Sequence, residues 1–175
     1  MSVFLVDECH LLWGDVCGYI WGKTSERVEV PMTNERDKQT YYGALNYHTK
    51  QFLVKPYEKA NSEQTVDFVK YLLKQCPEQR IVLIWDGASY HKYKKMKEYL
   101  EQVNGGLPPE SWPVTCILLA PNAPEQNPVE DIWLKGKNEI RNKYHLCNSF
   151  KEVKELFVKA IDGQYFTFPK VYQYG

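Results

Sequence analysis

Three acidic residues stand where this chain would have to do chemistry. Asp7 closes the apolar run "VFLVD", Asp86 closes "RIVLIWD", and Glu130 opens the helix-like stretch after the proline-rich "LAPNAPEQNPV". In open α/β sheets, ligand-binding groups collect just outside the carboxyl ends of strands. Two such strands lying side by side would join Asp7 to Asp86 although they are 79 positions apart, and a helix starting 44 positions further on would hold Glu130 over both. Three carboxylates so close repel one another, and some take up protons unless cations neutralise them. A set made only of oxygens suits Mg²⁺ or Mn²⁺, which bind through few carboxylates, waters and substrate phosphate. Two such ions about 3.5–4 Å apart stabilise the attacking and leaving oxygens of an in-line displacement. The chemistry indicated is phosphodiester cleavage or transfer.

Each acid also has a plain structural alternative. Asp7, followed by Glu8, would serve as strand-end solvation. Asp86, in "WDG", would set an Asp-Gly turn. Glu130 is three residues after Asn127, with Pro128 between them. Asn127 as N-cap, Pro128 at N1 and Glu130 at N3 spell a capping box. The catalytic reading rests on the three acids together.

The elements that must position them follow from periodicity. "VFLVDE" and "RIVLIW" read as buried strands. "GYIWGK" and "RVEVPM" are shorter strand-like pieces, and "TYYGALNYHTKQFLVKPYE" is a hairpin turning at "NYHTKQ". "SEQTVDFVKYLLKQC" has helical spacing, with Val66, Val69, Leu72 and Leu73 on one face and Ser62 or Asn61 as cap. "KYKKMKEYLEQV" is a helix with Met96, Tyr99, Leu100 and Val103 inward, "GGLPPESWP" a loop, and "VTCILLAP" another buried strand. "PVEDIWLKGKNEIRNKY" and "SFKEVKELFVKAI" are the last two helices, with Trp133 packing the first of them against the sheet. Antiparallel strands followed by helix-linked strands make a mixed α/β layered domain.

Bulk properties exclude several classes. At 175 residues, 43% hydrophobic and 25% charged, the chain is one globular domain with a sizeable core. No apolar run reaches the roughly 20 residues of a membrane span, and "MSVFLVDECH" lacks the basic lead of a signal peptide. A strand beginning so near residue 1 suggests a domain that normally has something in front of it. The five cysteines are scattered, which fits reduced thiols in a cytoplasmic protein rather than a disulfide framework or zinc site. Basic and acidic residues number 22 each, so any nucleic-acid surface must come from local clustering. The clusters are "HKYKKMK", after Asp86, and "KGKNEIRNK", after Glu130. A solvated helix face is the alternative for both.

"FLVDE", "YYGALN", "LIWDGASYH" and "LLAPNAPEQNPVEDIW", in this order, resemble the catalytic domain of the mariner-like transposase superfamily, in its bacterial insertion-sequence branch. The resemblance spans roughly residues 3–145, and "WGK" at 21–23 falls where relatives carry a Trp-Gly motif. It implies a ribonuclease-H-like fold, an α/β mixed sheet flanked by helices, as a single domain over 1–175. It also implies a DDE triad of Asp7, Asp86 and Glu130, binding Mg²⁺ or Mn²⁺ as two ions in the family's manner. Glu8, Asp131, Glu125 and Asn127 would line the site or support its ligands. Two departures stand out: "NGGLPPESWP" lengthens the connection between the second and third acids, and the family's N-terminal helix-turn-helix DNA-reading region is expected to be absent from this chain.

The reaction so implied is cut-and-paste transposition: hydrolysis at an element's end, then attack of the freed 3′-hydroxyl on target DNA. DNA contacts are expected from His91, Lys92, Lys94, Lys95, Lys135, Lys137 and Arg141. Expected partners are the element ends and target DNA, a helix-turn-helix-bearing portion or partner reading frame, and a second copy when DNA-bound, with no membrane and a nucleoid-associated cytoplasmic location. A nuclease on the same fold and an inactive remnant that only binds DNA or protein are the alternatives.

Overall fold

The computed structural model describes residues 1–13, 22–26, 37–86, 94–120 and 126–167. The strand-like pieces expected at "GYIWGK" and "RVEVPM" fall largely outside them. Among the described residues, five strands form one sheet in the order β3-β2-β1-β4-β5: β1 (Ser2–Leu12), β2 (Lys38–Asn46), β3 (Phe52–Tyr57), β4 (Ile81–Trp85) and β5 (Val114–Leu118). β1 pairs antiparallel with β2 and β2 with β3, whereas β1–β4 and β4–β5 are parallel. A hairpin turn joins β2 to β3, and parallel pairs such as β1–β4 and β4–β5 require crossover connections. The hairpin turn is held by Asn46, whose side chain accepts from the amides of His48 and Thr49.

The helices are α1 (Ser62–Gln75), α2 (Lys94–Asn104), α3 (Val129–Lys143) and α4 (Phe150–Ile161). Alternation along the strands divides the core in two. Phe4, Val6, Tyr42, Ala44, Leu83 and Trp85 face α1 and α2. Leu5, Cys9, Leu11, Tyr41, Leu45 and Phe52 face α3 and α4. A central sheet covered on both faces explains why its strands read as nearly continuous apolar runs.

Several expectations need correction. The inward face of α1 is Thr65, Phe68, Val69 and Leu72, with Val66 and Leu73 only partly buried, and Asn61 is its cap. Tyr42 sits over that face and hydrogen-bonds Thr65, which shifts the buried stripe by a residue. β5 is an edge strand rather than a buried one, and its Ile117 and Leu118 are about half exposed (48% and 49%). "GGLPPESWP" is the surface loop expected. It carries a short 3-10 turn at Pro109–Ser111 and is tied back by the Trp112 indole to the Leu107 carbonyl. The largest correction concerns β1, which does not end at Asp7 but runs to Leu12, carried on by its ladder with β2. The alternation of buried Cys9 and Leu11 with exposed His10 is the signal for that extension.

Candidate active site

Asp7 therefore lies inside β1, at the level where β4 stops. The parallel β1–β4 pairing runs from Ser2↔Ile81 to Leu5↔Ile84. Asp7 is two positions past Leu5 and Asp86 two past Ile84, so the acids fall at the same level on strands about 4.8 Å apart. Asp7 shares the face of Leu5 and Cys9, beneath α3, and is partly buried, whereas Asp86 is exposed immediately after β4. Glu8 alternates to the other face, where its charge acts on the Tyr42 hydroxyl.

α3 is bolted onto this point by Asn127, which is 4% exposed. Its side-chain amide donates to the Val6 carbonyl at 3.1 Å, and its Oδ1 accepts from the Val129 amide at 3.2 Å. Pro128 already has helical angles (φ −65°, ψ −11°) before the regular helix begins at Val129, so Asn127 acts as the cap, as the sequence suggests. One residue thus joins the start of the Glu130 helix to the backbone beside Asp7. Glu130 itself is exposed, in the first turn.

One turn further along α3, Trp133 reaches the same carboxylate: its indole Nε1 donates to Asp7 Oδ2 at 3.0 Å. The ring stacks on Phe157 (6.0 Å between centroids, 14°) and meets Phe52 edge-on (5.1 Å, 76°). Trp133 is core, as expected from sequence, and its hydrogen bond to an acid is an addition of the tertiary structure. The sequence signal for it is Gly43 in "YYGALN", a glycine inside a strand, which often marks close approach of another group.

The electrostatics centre on Asp7. Burial, then the charge of Glu8, pushes its carboxyl up from 3.8 to about 7, with Glu130 adding to the rise. Hydrogen bonds from the Glu8 backbone and the Trp133 indole work the other way. Burial likewise raises the Cys9 thiol to about 11, against the positive charge of Lys137. Among the described residues, no three Asp, Glu, His or Cys side chains are grouped closely enough to form a ready metal site. The donor chemistry does fit a hard divalent cation: every nearby acid offers oxygen, and a cation relieves the cost of ionising Asp7.

The basic residues divide. Lys137 shares the helical face of Glu130 and Trp133, seven and four positions along, and is partly buried near Cys9. Lys135 instead lies over the Phe166 ring (4.8 Å) and lines a groove of about 310 Å³ between α3 and α4 with Lys143 and Lys159. Arg141 donates to Asn138. Lys94 pairs with Glu98 at 3.5 Å, and Lys95 pairs with Glu63 of α1. His91, Lys92 and Glu125 lie outside the described residues.

The family model described as DDE superfamily endonuclease matches residues 2–156. No curated protein matches the chain by sequence. Among solved structures, the chain resembles the simian T-cell lymphotropic virus intasome in complex with PP2A regulatory subunit B56 gamma. That match has a TM-score of 0.61 at 6% identity, over 95% of this chain and 50% of that one. It resembles the Mos1 mariner paired end complex with Mn (TM-score 0.54, 17% identity, 90% and 47% of the two chains). It also resembles the HTLV-2 integrase catalytic core domain in complex with magnesium (0.54, 14%, 91% and 81%). The chain spans about half the length of the first two. These likenesses establish the ribonuclease-H-like fold of transposase and integrase catalytic cores.

Proposed function

The chain belongs to the DDE superfamily endonucleases, and from that premise we propose that it is the metal-dependent catalytic domain of a DNA transposase. Asp7, Asp86 and Glu130 are its cation-holding acids. The observation that carries this reading is the carboxylate of Asp7, desolvated, two positions past the last β1–β4 ladder pair just as Asp86 is, and within charge range of Glu130. The Mos1 complex contains Mn and the HTLV-2 core contains magnesium, ions of the type such a donor set selects.

Bound divalent cations would supply charge stabilisation to the attacking and leaving oxygens of the phosphodiester. The chain's own share is positioning. Asp7 and Asp86 present oxygens from a rigid sheet, and Asn127 anchors the helix that carries Glu130. Lys137, on the same helical face, would meet a phosphate, with His91, Lys92, Lys94, Lys95 and Arg141 as further candidates along the DNA path. Water adds to phosphorus at the element's end as the bond to the 3′-oxygen breaks, leaving a 3′-hydroxyl. That hydroxyl then attacks a target phosphodiester, displacing the target's own 3′-oxygen. A helix-turn-helix portion for reading the ends, a paired assembly on DNA and a nucleoid location complete the proposal.

The family's description as endonuclease favours one second reading, cleavage without joining. One experiment separates the readings. Purified chain is given Mn²⁺ and an oligonucleotide with a free 3′-hydroxyl beside a supercoiled plasmid, and Mn²⁺ binding is followed in parallel. Joined product lost in Asp86→Asn supports the transposase, and nicked plasmid without joining supports the nuclease. Absence of any Mn²⁺ binding that depends on Asp7 and Asp86 sinks both.

A further inference from the structure

Trp133 does more at Asp7 than packing requires. A buried indole N–H needs an acceptor, but here the acceptor is a partly buried carboxylate, reached at 3.0 Å, on the strand that α3 crosses. The ring has little freedom to turn away. Phe157 stacks beneath it and Phe52 abuts its edge. A side chain at Gly43, the residue paired with Asp7 across the β1–β2 ladder, would lie 2.5 Å from Trp133 Cη2. Asn127, six residues earlier, ties the same helix to the carbonyl of Val6. The indole is thus fixed at both ends, by the aromatic cluster and by the bolted helix start.

We propose that Trp133 is a positioning residue: its N–H holds Oδ2 of Asp7 and thereby sets the orientation in which the carboxylate meets a divalent cation. Groups that hydrogen-bond metal ligands fix ligand direction, and losing one typically costs about 10–100-fold in metal affinity. The inference rests on the reading of Asp7 as a cation ligand. It adds a residue outside the acidic set, together with the glycine that makes room for it.

The test compares Mn²⁺ affinity, by electron paramagnetic resonance of free ion, in wild type, Asp7→Asn, Trp133→Phe and Phe157→Leu. Trp133→Phe keeps an aromatic ring between Phe52 and Phe157 but removes the N–H. It leaves a void beside Gly43 and should lower Tm while still folding, and bind Mn²⁺ about 10–100-fold more weakly. Phe157→Leu loosens the same packing and keeps the N–H, so it should lower Tm with affinity close to wild type. The Trp133 indole ¹H–¹⁵N signal, identified by its loss in Trp133→Phe, should broaden with Mn²⁺ and stay sharp with Mg²⁺. Wild-type affinity in folded Trp133→Phe overturns the positioning role and leaves the cation site standing. Wild-type protein whose Mn²⁺ binding is absent, or unchanged in Asp7→Asn, overturns the cation site and this role with it. If Trp133→Phe does not fold, the signal is assigned instead in Trp133→Tyr or from sequential spectra. A sharp indole signal at a saturated Mn²⁺ site then counts against the proposal and a broadened one for it.

Discussion

Gly43 stands directly across the β1–β2 ladder from Asp7, and the space its missing side chain leaves is filled by the indole of Trp133. A Cβ there would come within 2.3 Å of Phe52 Cζ and 2.5 Å of Trp133 Cη2. Both are ring atoms wedged in the core, so neither yields cheaply. Gly43→Ala should destabilise the fold by about 1–3 kcal/mol, the usual cost of overpacking. A thermal melt reads this directly, and an unchanged Tm would show that the rings have room to retreat.

The carboxyl of Asp7 makes stability depend on pH. In the folded chain it titrates near 7, against 3.8 for an unperturbed aspartate, chiefly because burial disfavours its charge. A folded-state value above the unfolded one means that this group's contribution is fully present below about pH 4. It is lost as the pH rises through 7. Metal-free protein should therefore lose stability across that window, and Asp7→Asn should flatten this part of the profile. Denaturant midpoints between pH 4 and 8, in the presence of chelator, measure both. A profile identical in the two proteins contradicts the shift.

Cation binding should mirror that dependence. On the proposed reading the ionised carboxylate would be the ligand, so binding should release the proton Asp7 holds near neutrality. Mn²⁺ affinity should climb between about pH 6 and 8 and then level, with proton release seen as buffer-dependent heat in calorimetry. Heat independent of the buffer at pH 6.5 would show Asp7 already ionised.

Asn127 carries two hydrogen bonds that no smaller side chain replaces. Asn127→Ala leaves the Val6 carbonyl and the Val129 amide without these partners in a buried place. The expected cost is about 1–3 kcal/mol. Asn127→Asp keeps an acceptor for the helix amide and loses the donor to Val6, so it should fall between wild type and alanine. Chemical denaturation of the three proteins orders them, and equal midpoints would remove the bolt.

Lys137 and Lys135 should behave differently towards DNA. Lys137 shares the face of Glu130 and Trp133, while Lys135 turns to Phe166 and the groove beside α4. Lys137→Ala should weaken duplex binding and reduce the slope of log affinity against log salt by about 0.9, one phosphate contact for B-DNA. Lys135→Ala should leave that slope unchanged. Anisotropy titrations at several salt concentrations decide, and the reverse pattern would place the duplex along the α4 side.

Local pattern determined a good deal of this protein. The run "RIVLIW" had to be a buried strand, "NYHTKQ" a hairpin turn, and Asn127-Pro128 a helix start. Each depends on neighbours within a few residues, where periodicity and backbone preference act. The family's motifs are local in the same way, which is why Asp7, Asp86 and Glu130 could be singled out without a fold. What needed the tertiary structure was everything set by pairing. β1 passes beyond Asp7 because β2 continues its ladder, and β5 is half exposed because it has a neighbour on one side only within the sheet. The union of Trp133 with Asp7 joins residues 126 positions apart. It exists because a glycine on a third element stands aside, and side-chain volume across a sheet leaves no periodic trace in a sequence.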